Sequence, residues 1–358
     1  MTDFERVQKA ANGDDLDCIP AVLWAIGQSY APFAGIPDRL YYQNPLKMLE
    51  AQISFFRRFP HTFTIPGIWP DMGSIPIASA FGCDVEFPEN SPPRTRTHAV
   101  PSLEAVKKMR VPHPAETEYT KTILERLSFF KENIPGDVAA AFDFLDGHVH
   151  LGGPVDRACL IAGHQTVFLG MYEDPDSVHA LIDKVVDFSL HYLEEQQRVV
   201  GPAKRITMTD HTAGLIGEAH FNAFVLPKLN RIFDSTDAPL KIYHNENNWN
   251  SIIHCVKDLH CNVIHAGPEL DWIEANRHLS QCIMGVLDPI KVLAESDCAA
   301  VKLEVAEILK RSCRTTKLWF STGGGMHPLT PVENMECMIE AVGRTSPELI
   351  AHSGKTAG

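Results

Sequence analysis

The sequence predicts a single (β/α)8 TIM barrel occupying residues 1–358, with extra N-terminal helices and loops, and three observations lead there. Short apolar, β-branched runs recur eight times, each followed by Gly, Asp, His or Asn. Helix-periodic stretches separate them, so the strands must run parallel with helices covering their outer faces. An open doubly wound sheet is the alternative, but no G-x-G-x-x-G or Walker pattern follows a strand.

The eight runs are residues 19–24, 62–68, 138–144, 205–209, 240–243, 262–265, 282–286 and 317–322. The clearest helix follows Asp174-Pro175, an N-cap with proline at the first helical position. Val178, Leu181, Ile182, Val185, Tyr192 and Leu193 keep helical spacing, and Gly201 ends it. Another helix starts at Pro331. The proline-rich stretch 88–96 reads as a surface loop, and no Pro/Gly/Ser linker divides the chain.

Composition excludes several classes of function. A net charge of −13 repels nucleic acid and anionic membrane. The opening residues Met1-Thr2-Asp3-Phe4-Glu5-Arg6 lack a basic stretch followed by an apolar core, and no apolar run approaches bilayer length. The nine cysteines include no C-x-x-C pair, which favours reduced thiols and a cytoplasmic location. A homo-oligomer remains compatible with all of this.

In a barrel, chemistry gathers at the C-terminal ends of the strands. The residues there are Asp71, then Asp143, Asp146, His148 and His150, then Asp210 and His211. His244, Glu246, His265, Asp288 and His327 follow. His244-x-Glu246 is the sharpest pattern, because alternate residues at a strand end point the same way and can converge on one ion. The same loop, 243–248, also fits polar residues tying their own backbone. His265 on the next strand offers a third metal ligand or is a core histidine satisfied by a carbonyl. Asp210 stands at the mouth as a proton acceptor or caps its loop. His148-x-His150 reads as metal spacing or as an exposed loop, and Asp288-Pro289 as a helix cap.

Further pieces occur in order: Asp17–Val22, the helix at 45–59, Ala80-Phe81-Gly82-Cys83-Asp84-Val85-Glu86-Phe87 and Gly152-Gly153-Pro154. Met208-Thr209-Asp210-His211-Thr212-Ala213, Gly285-Val286-Leu287-Asp288-Pro289 and Ser321-Thr322-Gly323-Gly324-Gly325 complete the set. This ordered set resembles the uroporphyrinogen decarboxylase superfamily, which includes cobalamin-dependent methyltransferases. The true decarboxylases carry an arginine-rich segment after strand one, whereas residues 23–30 here contain no arginine. A porphyrin polyanion therefore lacks its charge partners.

The methyltransferase branch holds zinc with a His-x-Cys pair after strand five and a cysteine in the glycine turn after strand eight. His244 matches the histidine, but Glu246 and Gly324 stand at the two cysteine positions. A histidine–carboxylate set leaves zinc a harder Lewis acid, suited to an ether or phenolate oxygen rather than a thiolate. The resemblance thus implies an O-demethylase-type enzyme that passes a methyl group to the cobalt of a corrinoid (cobalamin-carrying) protein. His244, Glu246 and His265 are the expected zinc ligands, with His327 behind them. Trp24, Trp69, Trp249 and His148 are the expected substrate contacts, the tryptophans being equally readable as packing residues. Asp210 or Asp71 is expected to supply a proton or orient the substrate. The rivals are a metal-dependent hydrolase on a barrel and a non-catalytic ligand- or corrinoid-binding relative.

Overall fold

The protein, as a computed structural model, is described over residues 1–142, 148–312 and 317–353, excepting the side chains of 140–142, 148 and 351–353. Its parallel strands are β1 Val22–Ala25, β2 Phe63–Pro66, β3 His148–Gly152, β4 Arg205–Thr209, β5 Leu240–Asn245, β6 Val263–Ala266, β7 Cys282–Leu287 and β8 Leu318–Thr322. Strands β3 to β8 form one sheet in sequence order, and β1 pairs with β2. A parallel bridge between Ala21 and Phe320 joins β1 to β8, giving the strand order of a TIM barrel.

Seven of the predicted runs coincide with these strands. The third does not: Gly136–Phe142 is a helix, and the strand is His148–Gly152. Ala139-Ala140-Ala141 favours a helix, whereas His148-Val149-His150-Leu151 alternates polar and apolar as a strand does. Asp143 and Asp146 lie outside the described residues, as does the side chain of His148.

Strand periodicity fills the barrel. Val22 and Trp24, Phe63 and Ile65, Leu240 and Ile242, Val263, Cys282 and Met284, and Trp319 form one buried cluster with Val7 and Ala10. The helix Asp3–Asn12 contributes those last two. It is capped by Thr2 and Glu5 in a reciprocal capping box, and it packs against β8. There the Trp319 indole donates to the Val7 carbonyl at 2.9 Å. Continuing the same two-residue step brings His244 after Ile242 and His265 after Val263, so both imidazoles follow the inward-facing apolar rows. Register puts the two opposite each other.

Outside the barrel, Pro175–Val200 is the predicted helix, with the Asp174 side chain accepting from the Ser177 amide. Part of the 88–96 stretch is more ordered than a loop, since Arg94–Thr95 pairs with Val85–Glu86 in a short hairpin. Cys298 and Cys337 form a disulfide, against the expectation of reduced thiols throughout. The helices Cys298–Ser312 and Val332–Ser353 pack side by side and bring the two Cα atoms to 5.7 Å, within bridging reach. The other described cysteines are free. Among the described residues, no helix is long and apolar enough to cross a membrane.

Trp319 is fully buried, so its replacement by Ala should cost about 3–5 kcal/mol of unfolding free energy through the cavity it leaves. A urea titration that moves by less than about 1 kcal/mol would show that the helix Asp3–Asn12 does not close the barrel floor.

Candidate active site

Three ligand-bearing side chains converge at the C-terminal end of the barrel: His211 after β4, His244 in β5 and Glu246 just beyond it. Their donor atoms lie within 4.8 Å of one another. Glu246 Oε1 is 3.7 Å from His211 Nδ1 and 3.9 Å from His244 Nε2. Tetrahedral zinc with bonds near 2.0–2.1 Å needs donor atoms roughly 3.3 Å apart, so the set fits one ion after a small contraction. A two-nitrogen, one-oxygen set of this kind leaves one position for substrate.

His244 is rigid where the other two are not. Only 2 % of its side chain is exposed, against 44 % for His211 and 43 % for Glu246. Trp24 stacks on its ring at 4.2 Å, nearly parallel. Its Nδ1 lies 2.8 Å from Nδ1 of His265, while His265 Nε2 is 2.9 Å from the Thr322 carbonyl. A carbonyl can only accept, so His265 carries its proton on Nε2, and its Nδ1 must accept from His244 Nδ1–H. The Gly324 amide approaches the same Nε2 at 3.2 Å, and the shorter carbonyl contact decides the tautomer. This leaves His244 Nε2 with its lone pair aimed at the cleft. Burial lowers the pKa of His244 well below the imidazole range, and lowers that of His265 to about 4, so neither is charged near neutrality.

His265 is therefore corrected from third ligand to orienting partner, because both of its nitrogens are spent on hydrogen bonds. His211 is the residue that offers a third donor atom beside His244 and Glu246. The sequence placed His211 among the polar strand-end residues, and only the fold brings its loop against Glu246. Asn247 fixes that loop, its side-chain amide donating to the His211 carbonyl. Asn245 in turn accepts from the Asn247 amide at 3.0 Å. The 243–248 segment thus ties its own backbone and also presents Glu246.

Glu246 is held from the far side by the Gly325 amide, 2.9 Å from Oε2. A Cβ on Gly324 would sit 2.4 Å from that same oxygen, and Gly324 has φ +91°. The space that a side chain at 324 would use is taken by the longer glutamate. A side chain at 324 and the Glu246 carboxylate therefore compete for one space.

The cleft around this group has a volume of about 220 Å³. Trp24, Trp69 and Asp71 line it, together with His150, which the sequence also places at the strand ends, and with Asp156 and Arg157, which it does not. Asp71 is buried and accepts from the amides of Gly27 at 2.8 Å and Gly73 at 2.7 Å, with Tyr42 hydroxyl at 3.4 Å. Burial raises its pKa from the ordinary aspartate value, against the lowering effect of these hydrogen bonds.

Three expectations are corrected. Trp249 is 1 % exposed and packs in the core, its indole donating to the Asn245 carbonyl. Asp210 is fully buried under Gly153 rather than at the mouth. Burial pushes its pKa up to about 8, Asp156 adds to that, and its Oδ2 has no partner among the described residues. His327 accepts from the Leu329 amide away from the ligand group. Asp288 caps its helix as read, accepting from the Ile290 and Lys291 amides.

The sequence model of the uroporphyrinogen decarboxylase (URO-D) family matches residues 2–345. Uroporphyrinogen decarboxylase of Coxiella burnetii (strain Dugway 5J108-111) is 26% identical over 322 residues, covering 84% of this chain and 82% of the relative. That of Carboxydothermus hydrogenoformans is 26% identical over 250 residues, covering 66% and 67%. A methyltransferase from Methanosarcina mazei superposes with a TM-score of 0.78 at 18% identity, covering 96% of this chain and 98% of the other, which is a likeness of fold.

Replacing Gly324 with Ala should push the Glu246 carboxylate aside and weaken zinc binding about 10–100-fold in a chelator competition. Unchanged affinity would remove Glu246 from the ligand set. His150, whose pKa burial lowers to about 3, gives a pH dependence of stability. In the unfolded chain it protonates below about 6.5, so the unfolded state binds the extra proton between the two values. Stability should fall as pH drops from about 6.5 toward 3, and His150→Gln should make that acid loss shallower in urea midpoints measured across the range.

Proposed function

Because this chain belongs to the uroporphyrinogen decarboxylase family and yet presents a His211–His244–Glu246 group over a small aromatic-walled cleft, we propose that it is a methyltransferase. It takes a methyl group from a small O-methylated substrate and passes it to the cobalt of a separate corrinoid protein. The observation that carries this reading is the ligand group itself: a neutral, tautomer-fixed imidazole beside a second imidazole and a carboxylate. Zinc held by His211, His244 and Glu246 would supply the Lewis acidity that draws electron density off an ether oxygen.

The cleft argues against a tetrapyrrole. Its 220 Å³ falls below the roughly 300–1,000 Å³ typical of sites for drug-sized ligands, and one arginine lines it. The rival hydrolase loses support as well. Among the described residues a single group of three ligands converges, and His150 stands in the cleft wall outside it.

The chain's own residues prepare the transfer. Trp24 and Trp69 offer apolar faces to the substrate and displace water. His265 and Trp24 hold the His244 ring so that its lone pair is presented without reorganisation, which is where such sites gain most. As the methyl carbon leaves, the C–O bonding electrons stay with oxygen. That oxygen then takes a proton, for which Asp71, buried and raised in pKa, is the group facing the cleft.

The test follows methyl transfer from a methyl ether to free or protein-bound cob(I)alamin by its visible spectrum. His244→Ala should reduce the rate at least 100-fold, and His265→Ala should lower zinc affinity while sparing much of the substrate affinity. Full transfer by the His244 variant would sink the scheme.

A further inference from the structure

The inner wall of the cleft holds a buried cation without a full set of partners. Arg157, on the helix Pro154–Ala162, is 5 % exposed. A guanidinium offers five donors. Its side chain makes one hydrogen bond, from Nη1 to Asp156 Oδ2 at 3.4 Å, and no other acidic oxygen of the described residues is within 4 Å. Asp156 is itself divided, because its Oδ1 accepts from the Thr212 amide and hydroxyl. A charge this far from water with one long hydrogen bond is costly unless something else pairs with it.

The backbone makes room for this arrangement. A Cβ on Gly152 would lie 1.8 Å from Arg157 Nε and 2.2 Å from both Cζ and Nη2. The guanidinium therefore occupies the space that a side chain at 152 would take. A chamber of about 20 Å³ adjoins the cleft, the two sharing Trp69, Gly73, His150 and Arg157 as lining. That volume suits one water or one small polar group. Tyr192 lines this chamber, is 2 % exposed, and its hydroxyl has no partner among the described residues.

We propose that Arg157 and Tyr192 form an anion subsite, and that the methyl donor is a small ether carrying a carboxylate at the end remote from the methyl group. The assignment rests on reading this cleft as the substrate site. Arg157 lines the same cleft as His211, His244 and Glu246, so one molecule can present its anion to the guanidinium and its ether oxygen to the ligand group. A planar guanidinium matches a carboxylate in two parallel hydrogen bonds, and a phenolic hydroxyl can donate a third. The tryptophan walls favour an aromatic ring between the two ends.

The test compares 4-methoxybenzoate with the neutral 4-methoxybenzyl alcohol by calorimetry on the full chain, with and without zinc. The carboxylate should bind at least tenfold tighter, Arg157→Met should bring the two within about twofold, and Tyr192→Phe should narrow the gap. Arg157→Met removes a buried charge that also pairs with Asp156, so the wild-type comparison stands as a test by itself if that variant fails to fold. Equal affinity for the two probes, no measurable carboxylate binding, or a preference that survives in Arg157→Met overturns the subsite. Because no corrinoid is used, a carboxylate preference without methyl transfer to cob(I)alamin would overturn the proposed reaction and leave the subsite standing. Transfer from neutral ethers with no preference would do the reverse.

Discussion

Across the pairing of β5 and β6, the imidazoles of His244 and His265 share one proton between their Nδ1 atoms at 2.8 Å, and the geometry of the site depends on that contact. It exists because both residues follow the inward-facing apolar row of their strands, in register, where water is excluded. The Thr322 carbonyl of β8 sets the direction of the proton. Three strands thereby agree on one tautomer, and His244 is left with a lone pair rather than an N–H toward the cleft. Were the relay reversed, the same ring would repel a cation.

Empty space is the second constraint. Gly27 leaves no Cβ where the Tyr42 hydroxyl lies, Gly153 none where Asp210 packs, and Gly324 none where Glu246 reaches. Each glycine brings a functional or buried polar side chain against backbone that any other residue would push away. Glu246 can reach this position because 324 has no side chain. Glutamate spans the gap, and the Gly325 amide fixes its carboxylate. On the proposed function, a site of two nitrogens and one oxygen would be harder than one built on thiolates.

The cleft is also electrically divided. Buried histidines on the β5–β6 side stay neutral because a charged imidazole there loses its hydration. The same cleft also keeps a guanidinium, that of Arg157, whose acidic contact within 4 Å among the described residues is Asp156. Asp71 lines the cleft as well, its carboxyl oxygens accepting from two backbone amides. A molecule with a neutral oxygen at one end and negative charge at the other complements this layout better than a porphyrin with carboxylates all round.

How much of this was legible in the sequence follows from which interactions are local. The strand at 205–209, the helix capped by Asp174 and ended by Gly201, and the cap at Asp288 were readable because periodicity and capping act over a few residues. His244 and Glu246 were readable for the same reason, since two residues apart on a strand end means the same direction. The alanine run after Gly136 misled the count of the third strand because a short apolar run carries no mark of its final partner. His211 as a ligand, His265 as its neighbour's orienting partner and the withdrawal of Asp210 and Trp249 into the interior are contacts between segments roughly 20 to 60 residues apart. They arise when barrel formation rotates each strand and superposes its loops, and no spacing within one segment encodes that rotation. The sequence by itself determined which polar side chains follow the strands; the tertiary structure decided which of them converge as candidate ligands, which share a proton and which are buried, because those roles depend on distances set only when the strands align.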